Sequence, residues 1–197
     1  MKKLLIAAKA ALIVSIFLLA GCGATDLQQL RMKDNVEMQK SEWRLPGHII
    51  VANMEMVHRG FNGEIKDIRE YRNIVVNTGK ACTASRINGD GTEALFNYVA
   101  IGTGVTAEGA TQTALVTEIS TGGGQRAIAT LSRVTTTVTN DTARWVITYN
   151  FSSSFAVTES GIFNAASSGC MLARKLFSVV NVANGDSLQI TWRVQVQ

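Results

Sequence analysis

The most regular pattern in the chain lies at its C-terminal end. Leu188, Ile190, Trp192, Val194 and Val196 alternate with Gln189, Thr191, Arg193, Gln195 and Gln197. Successive side chains of a strand point to opposite faces, so this alternation predicts a strand with one buried and one solvated face. Ala143, Trp145, Ile147, Tyr149 and Phe151 alternate with Arg144, Val146, Thr148 and Asn150 and predict a second strand of the same kind. These apolar rows are the expected core and assembly positions. Less regular, β-branched-rich runs at 95–101, 125–139, 161–164 and 170–180 predict further strands, with turns at Asn140-Asp141 and Asn184-Gly185-Asp186. Residues 48–76 read as a β-hairpin around Asn62-Gly63, a pair suited to a tight turn. Only 79–87 and 112–119 look helical. The expected fold is mainly β, an antiparallel β-sandwich at 47–197, made of the hairpin (47–80) and a Thr/Gly-rich body (81–197).

Two segments precede it. Residues 1–22, MKKLLIAAKAALIVSIFLLAGC, place positive charge first, then the apolar run 10–20, then small residues and a cysteine. That run is shorter than the roughly 20 residues that cross a bilayer, so the layout is that of a secretory signal. The ending LAGC resembles a bacterial lipobox, which implies acylation of Cys22, cleavage before it, and membrane attachment through lipid alone. The other reading is an uncleaved hydrophobic segment docked in an assembly or lying in a membrane. Residues 23–46 are polar and rich in helix formers, with a thin apolar stripe; they read as a linker, a stalk, or a helix in need of a partner. Pro46-Gly47 ends them.

Composition narrows the function. The chain has 197 residues, 46% hydrophobic and 17% charged, which excludes wholesale disorder. Its net charge of +4 suggests a polyanionic partner until the charges are placed. Lys2, Lys3 and Lys9 all precede Cys22, and without them 16 basic residues face 15 acidic ones. A near-neutral body lacks the basic stripe that nucleic-acid binding needs.

Candidate chemistry is sparse. Gly102, Gly104 and Gly109 follow a strand, but with neither the spacing nor the following helix of a dinucleotide loop. Gly122 to Gly124 precede no Lys-Ser/Thr pair and read as a loop. Asp90 and Glu93 near a Gly-rich turn are too few for an EF-hand calcium loop. Met54, Met56 and His58 share one strand face and would offer soft ligands to copper, yet core packing explains them as well. Glu159 is a lone carboxylate without an evident partner for acid–base work. Cys82 and Cys170 are a possible disulfide after export, where such bonds persist. No nucleophile–base–orienter set can be assembled, so neither an enzyme nor a cofactor is expected.

An ordered set of short segments carries a resemblance. Residues 62–64 (NGE), 73–79 (NIVVNTG), 98–104 (YVAIGTG), 113–118 (TALVTE), 158–165 (TESGIFNA), 171–174 (MLAR) and 185–192 (GDSLQITW) together resemble virion structural proteins of tailed bacteriophages and prophages. The likeness covers about residues 61–197. It implies a tail, neck-fibre or capsid-decoration component located in the virion. Its partners would be copies of itself, often three around a common axis, and other virion proteins. It brings no active site. The N-terminus departs from this pattern, because phage particles assemble in the cytoplasm and have no use for a lipobox. The alternative is a lipoprotein anchored through Cys22 at the outer membrane or cell surface, forming a fibre or a binding module.

Overall fold

The alternating C-terminal strand, β10 (Ser187–Val196), lies in the middle of a five-stranded antiparallel sheet. The computed structural model describes residues 50–196; the segment 1–22 with Cys22, the stretch 23–46 and His48 lie outside the described residues. On one side β10 pairs with β1 (Ile50–Arg59), on the other with β7 (Thr142–Asn150). β2 (Ile65–Arg72) and β6 (Thr130–Val134) form the edges, giving the order β2-β1-β10-β7-β6. Trp192 stands opposite Met54 on β1 and Trp145 on β7, so a row of large apolar side chains crosses the sheet.

The second sheet has the order β3-β9-β8-β4-β5. Its strands are β3 (Ile74–Val75), β4 (Tyr98–Gly102), β5 (Ala127–Ile128), β8 (Phe155–Phe163) and β9 (Met171–Val182). One core fills the space between the sheets. It joins Met54, Met56, Trp145, Ile147, Leu188 and Trp192 of the first to Val99, Ile101, Val157, Ile162 and Val180 of the second. The molecule is the antiparallel β-sandwich that the alternation predicts.

Trp145, Ile147, Tyr149, Phe151, Leu188, Ile190, Trp192 and Val194 are all buried. Val196 is not; it is 61% exposed. The pairing of β10 with β7 ends at Gln195 opposite Thr142, so Val196 has no strand beside it on that side. Alternation continues to the end of the sequence, but the facing sheet does not.

Two stretches expected as single strands are each divided between the sheets. The return arm of the hairpin runs as β2 in the first sheet, breaks at Asn73, and continues as β3 in the second. The run 125–139 gives β5 in the second sheet and β6 in the first, with buried Ala129 between them. One chain segment thus closes each side of the sandwich. The single helix among the described residues, α1 (Asn77–Asn88), matches the expected 79–87 and ends at Gly89 in the left-handed conformation. The helix expected at 112–119 is absent. There the N–H groups of Val116 and Thr117 donate to the Glu159 side chain instead of to helical carbonyls.

Trp192 is fully buried and donates its indole N–H to Ser160 Oγ at 3.2 Å. Trp192→Ala should therefore cost about 3–5 kcal/mol in chemical denaturation. Val196→Ala, at an exposed position, should stay within about 0.5 kcal/mol.

Candidate functional site

Glu159 has a partner after all. The β8–β9 register shifts between Val157 and Glu159: Val157 joins the core, while the Glu159 carboxylate meets residues 104–117 and Arg174 of β9. Arg174 Nε and Nη2 donate to Glu159 Oε2 at 2.9 and 2.8 Å, and both side chains are 0% exposed. Three backbone N–H groups complete the carboxylate's shell: Gly104 and Thr117 to Oε1 at 3.1 and 2.8 Å, and Val116 to Oε2 at 3.1 Å. Arg174 in turn donates to Gln112 Oε1 and the Thr106 carbonyl, each at 2.9 Å. Ionised groups tolerate burial only when so fully partnered.

This network explains the glycines that look like a nucleotide loop. A Cβ on Gly102 would lie 2.6 Å from Glu159 Oε1, and one on Gly104 would lie 2.5 Å from it. The loop does cradle an anion through backbone N–H groups, but the anion is the protein's own glutamate. Segments 98–104, 113–118, 158–165 and 171–174, four of those that carry the phage resemblance, meet here. With both charges sealed from solvent, the network can hold a fold together and cannot reach a substrate.

A second buried carboxylate clasps the hairpin to the turn before β10. Asp186, 3% exposed, accepts from His58 Nε2 at 2.9 Å, from Lys66 Nζ at 3.0 Å and from the Ala183 N–H at 3.0 Å. Burial pushes its carboxyl up, but the hydrogen bonds from His58, Ala183 and Lys66 together outweigh this and bring it down to about 2. His58 is thereby committed to Asp186, and Met54 and Met56 pack in the core. An open groove of about 470 Å³ beside this clasp is lined by Lys66, Ser154, Phe155, Asn181 and Asp186.

Cys82 on α1 and Cys170 at the foot of β9 are joined as a disulfide, their Cα atoms 6.7 Å apart. Glu93 does not pair with Asp90 around a turn. It accepts from Asn164 Nδ2 at 3.0 Å and lies 3.5 Å from Cys170 Sγ.

The two edges of the first sheet differ. β2 carries Lys66, Asp67, Arg69, Glu70 and Arg72, which discourage pairing with another strand. β6 carries Arg133 alone among charged residues, and Leu131 on it is 46% exposed. Ile128, just before it on β5, is 63% exposed. This edge, not the buried rows of β7 and β10, is the candidate assembly surface.

Sequence reasoning missed the pairing of Glu159 with Arg174 and the clasp of Asp186. A signal for the first was present: VTESGIF sets Glu159, and MLARKLF sets Arg174 and Lys175, inside strand-like apolar runs, and a charge there needs a partner. No family model, curated protein or solved structure matches the chain. Among the described residues no helix is long and apolar enough to cross a membrane.

Two expectations follow from the buried charges. Arg174→Met should cost about 3–5 kcal/mol, because it leaves Glu159 buried without a cation. Adding Glu159→Gln should recover part of that loss, since it removes the unpaired charge while its amide oxygen still accepts from the Gly104 and Thr117 N–H groups; a chemical-denaturation cycle over the four proteins checks both. Asp186, whose carboxyl is lowered from 3.8 to about 2 in the fold, stabilises the protein fully above about pH 4. That contribution should fade as pH falls through about 2, and Asp186→Asn should flatten the stability–pH curve over this range.

Proposed function

We propose that this chain is a non-enzymatic virion structural protein of a tailed phage, working by self-assembly and attachment in a tail, neck-fibre or decoration position. One observation carries the reading. Four of the seven segments on which the phage resemblance rests meet at a sealed ion-pair network, which supports a structural role for them rather than a reaction. The β6 edge, with Arg133 as its one charged residue and exposed Leu131 and Ile128 beside it, supplies backbone hydrogen-bonding groups and apolar area for a second copy of the chain. A second reading, a lipoprotein anchored through Cys22, is favoured by the Cys82–Cys170 bond, which suits an oxidising compartment.

Intact mass separates the two. Chains in purified particles that begin at an unmodified Met1 support the virion reading; chains beginning at an acylated Cys22 in a membrane fraction overturn it. In sedimentation equilibrium the full chain should self-associate, and Leu131→Lys should weaken that association about tenfold or more while leaving the β-type circular dichroism unchanged. The same change on the charged edge, Ile68→Lys, should have little effect.

A further inference from the structure

Three metal-ligating side chains from three separate parts of the chain converge beside α1. Cys82 Sγ, Cys170 Sγ and a carboxylate oxygen of Glu93 all lie within 4.8 Å of one another. Among the described residues no second such trio of His, Cys, Asp or Glu is found. While the sulfurs are joined the pair is neutral, and the Glu93 carboxylate faces a group that offers it neither a proton nor a charge. Beside two thiolates the same carboxylate is a third ligand at bonding range.

The surroundings suit a metal. Asn164, itself buried, holds Glu93 Oε2 through Nδ2 at 3.0 Å and is held in turn by the Cys170 N–H, which donates to its Oδ1 at 2.7 Å. Partners of this kind orient a ligating carboxylate. Cys82 is buried, while Glu93 and Cys170 are half-buried, so the trio is not sealed from solvent. Two thiolates exclude calcium and magnesium and, with a carboxylate in a four-coordinate setting, select Zn²⁺.

We propose that the reduced chain binds one Zn²⁺ through Cys82, Cys170 and Glu93, so that α1 and β9 are stapled by a metal where the disulfide cannot persist. Two low-molecular-weight thiols supply the electrons. Their own disulfide forms, the Cys82–Cys170 bond breaks, and each protein sulfur takes up a proton. Zn²⁺ then displaces both protons as the two Zn–S bonds form. The site stands whether or not the chain assembles into virions.

The test uses the full chain reduced with a water-soluble phosphine and titrated with Co²⁺, then with Zn²⁺. The expected result is one equivalent of Co²⁺ with thiolate-to-cobalt absorption and tetrahedral visible bands, bleached by Zn²⁺. The oxidised chain and the Cys82→Ser/Cys170→Ser chain should show neither. Glu93→Gln should keep the thiolate band but weaken binding about tenfold or more. A reduced, folded chain without the cobalt bands overturns the proposal, as does a Glu93→Gln chain that binds equally well. If reduction alone removes the β-type circular dichroism, its return on adding Zn²⁺ supports the site and its failure to return overturns it.

Discussion

The buried pair of Glu159 and Arg174 is the constraint around which the second sheet is arranged. Two charges out of water cost several kcal/mol each unless every donor and acceptor is answered. Here the answers come from three places: Arg174 on β9, the N–H groups of Gly104, Val116 and Thr117, and the carbonyl and amide oxygens of Thr106 and Gln112. Residues 103–117 contain no regular element, so their backbone groups need partners from elsewhere. The ion pair provides four of them, to the N–H groups of Gly104, Val116 and Thr117 and to the Thr106 carbonyl, while Thr103 N–H bonds to the Thr117 carbonyl and Gln112 N–H to the Gly109 carbonyl. The glycines at 102 and 104 follow from this, because any side chain there would occupy the carboxylate's place.

The sandwich closes by a separate device. A sheet edge exposes unpaired backbone groups, and two open sheets would leave four such edges. The segments 65–75 and 127–134 each begin in one sheet and end in the other, turning the edges toward each other at Asn73 and Ala129. Asn73 N–H bonds to the Ala52 carbonyl and Ala129 N–H to the Asn97 carbonyl, so the corners themselves stay paired. The outer sides of β2 and β6 are the long edges of the first sheet, while the second sheet ends in the two-residue strands β3 and β5. β2 carries five charged residues and β6 only Arg133.

Much of this architecture is legible in the sequence because period-two alternation reports burial directly. β7 and β10 declare themselves through Trp145, Ile147, Tyr149, Leu188, Ile190 and Trp192, and the stretch 79–87 reads as the helix that α1 is. The misses have one physical origin: they are places where a partner distant in sequence decides the local conformation. Val116 and Thr117 look helical but lie in a bend, because Glu159 takes their N–H groups. The run 125–139 looks like one strand because alternation carries no mark of which sheet a strand joins. Residues 155–160 of β8 are hidden because a shift in pairing around Thr158 breaks the period between Val157 and Glu159. Val196 alternates correctly and pairs with Ile50 of β1, yet no strand lies beside it on the β7 side. The buried network was visible only as charges set in apolar runs, Glu159 and, 15 residues on, Arg174 beside Lys175, and the clasp of Asp186 by His58 and Lys66 left no local trace at all.

The cysteine pair ties these layers together. A link between residues separated by 88 positions removes loop-closure entropy from the unfolded chain worth about 4–5 kcal/mol, whichever bond makes the link. That loop encloses β4 to β8, the Glu159 side of the ion pair and the residues 103–117 that it anchors. Arg174 lies only four residues past Cys170, so the staple fixes β9 at the end where its charge must meet Glu159. Such long-range pairing is the slow and costly part of forming a β-sandwich. A staple at this place shortens the search that brings the two charges together. This holds for a disulfide formed after export and for a metal bound in a reducing compartment.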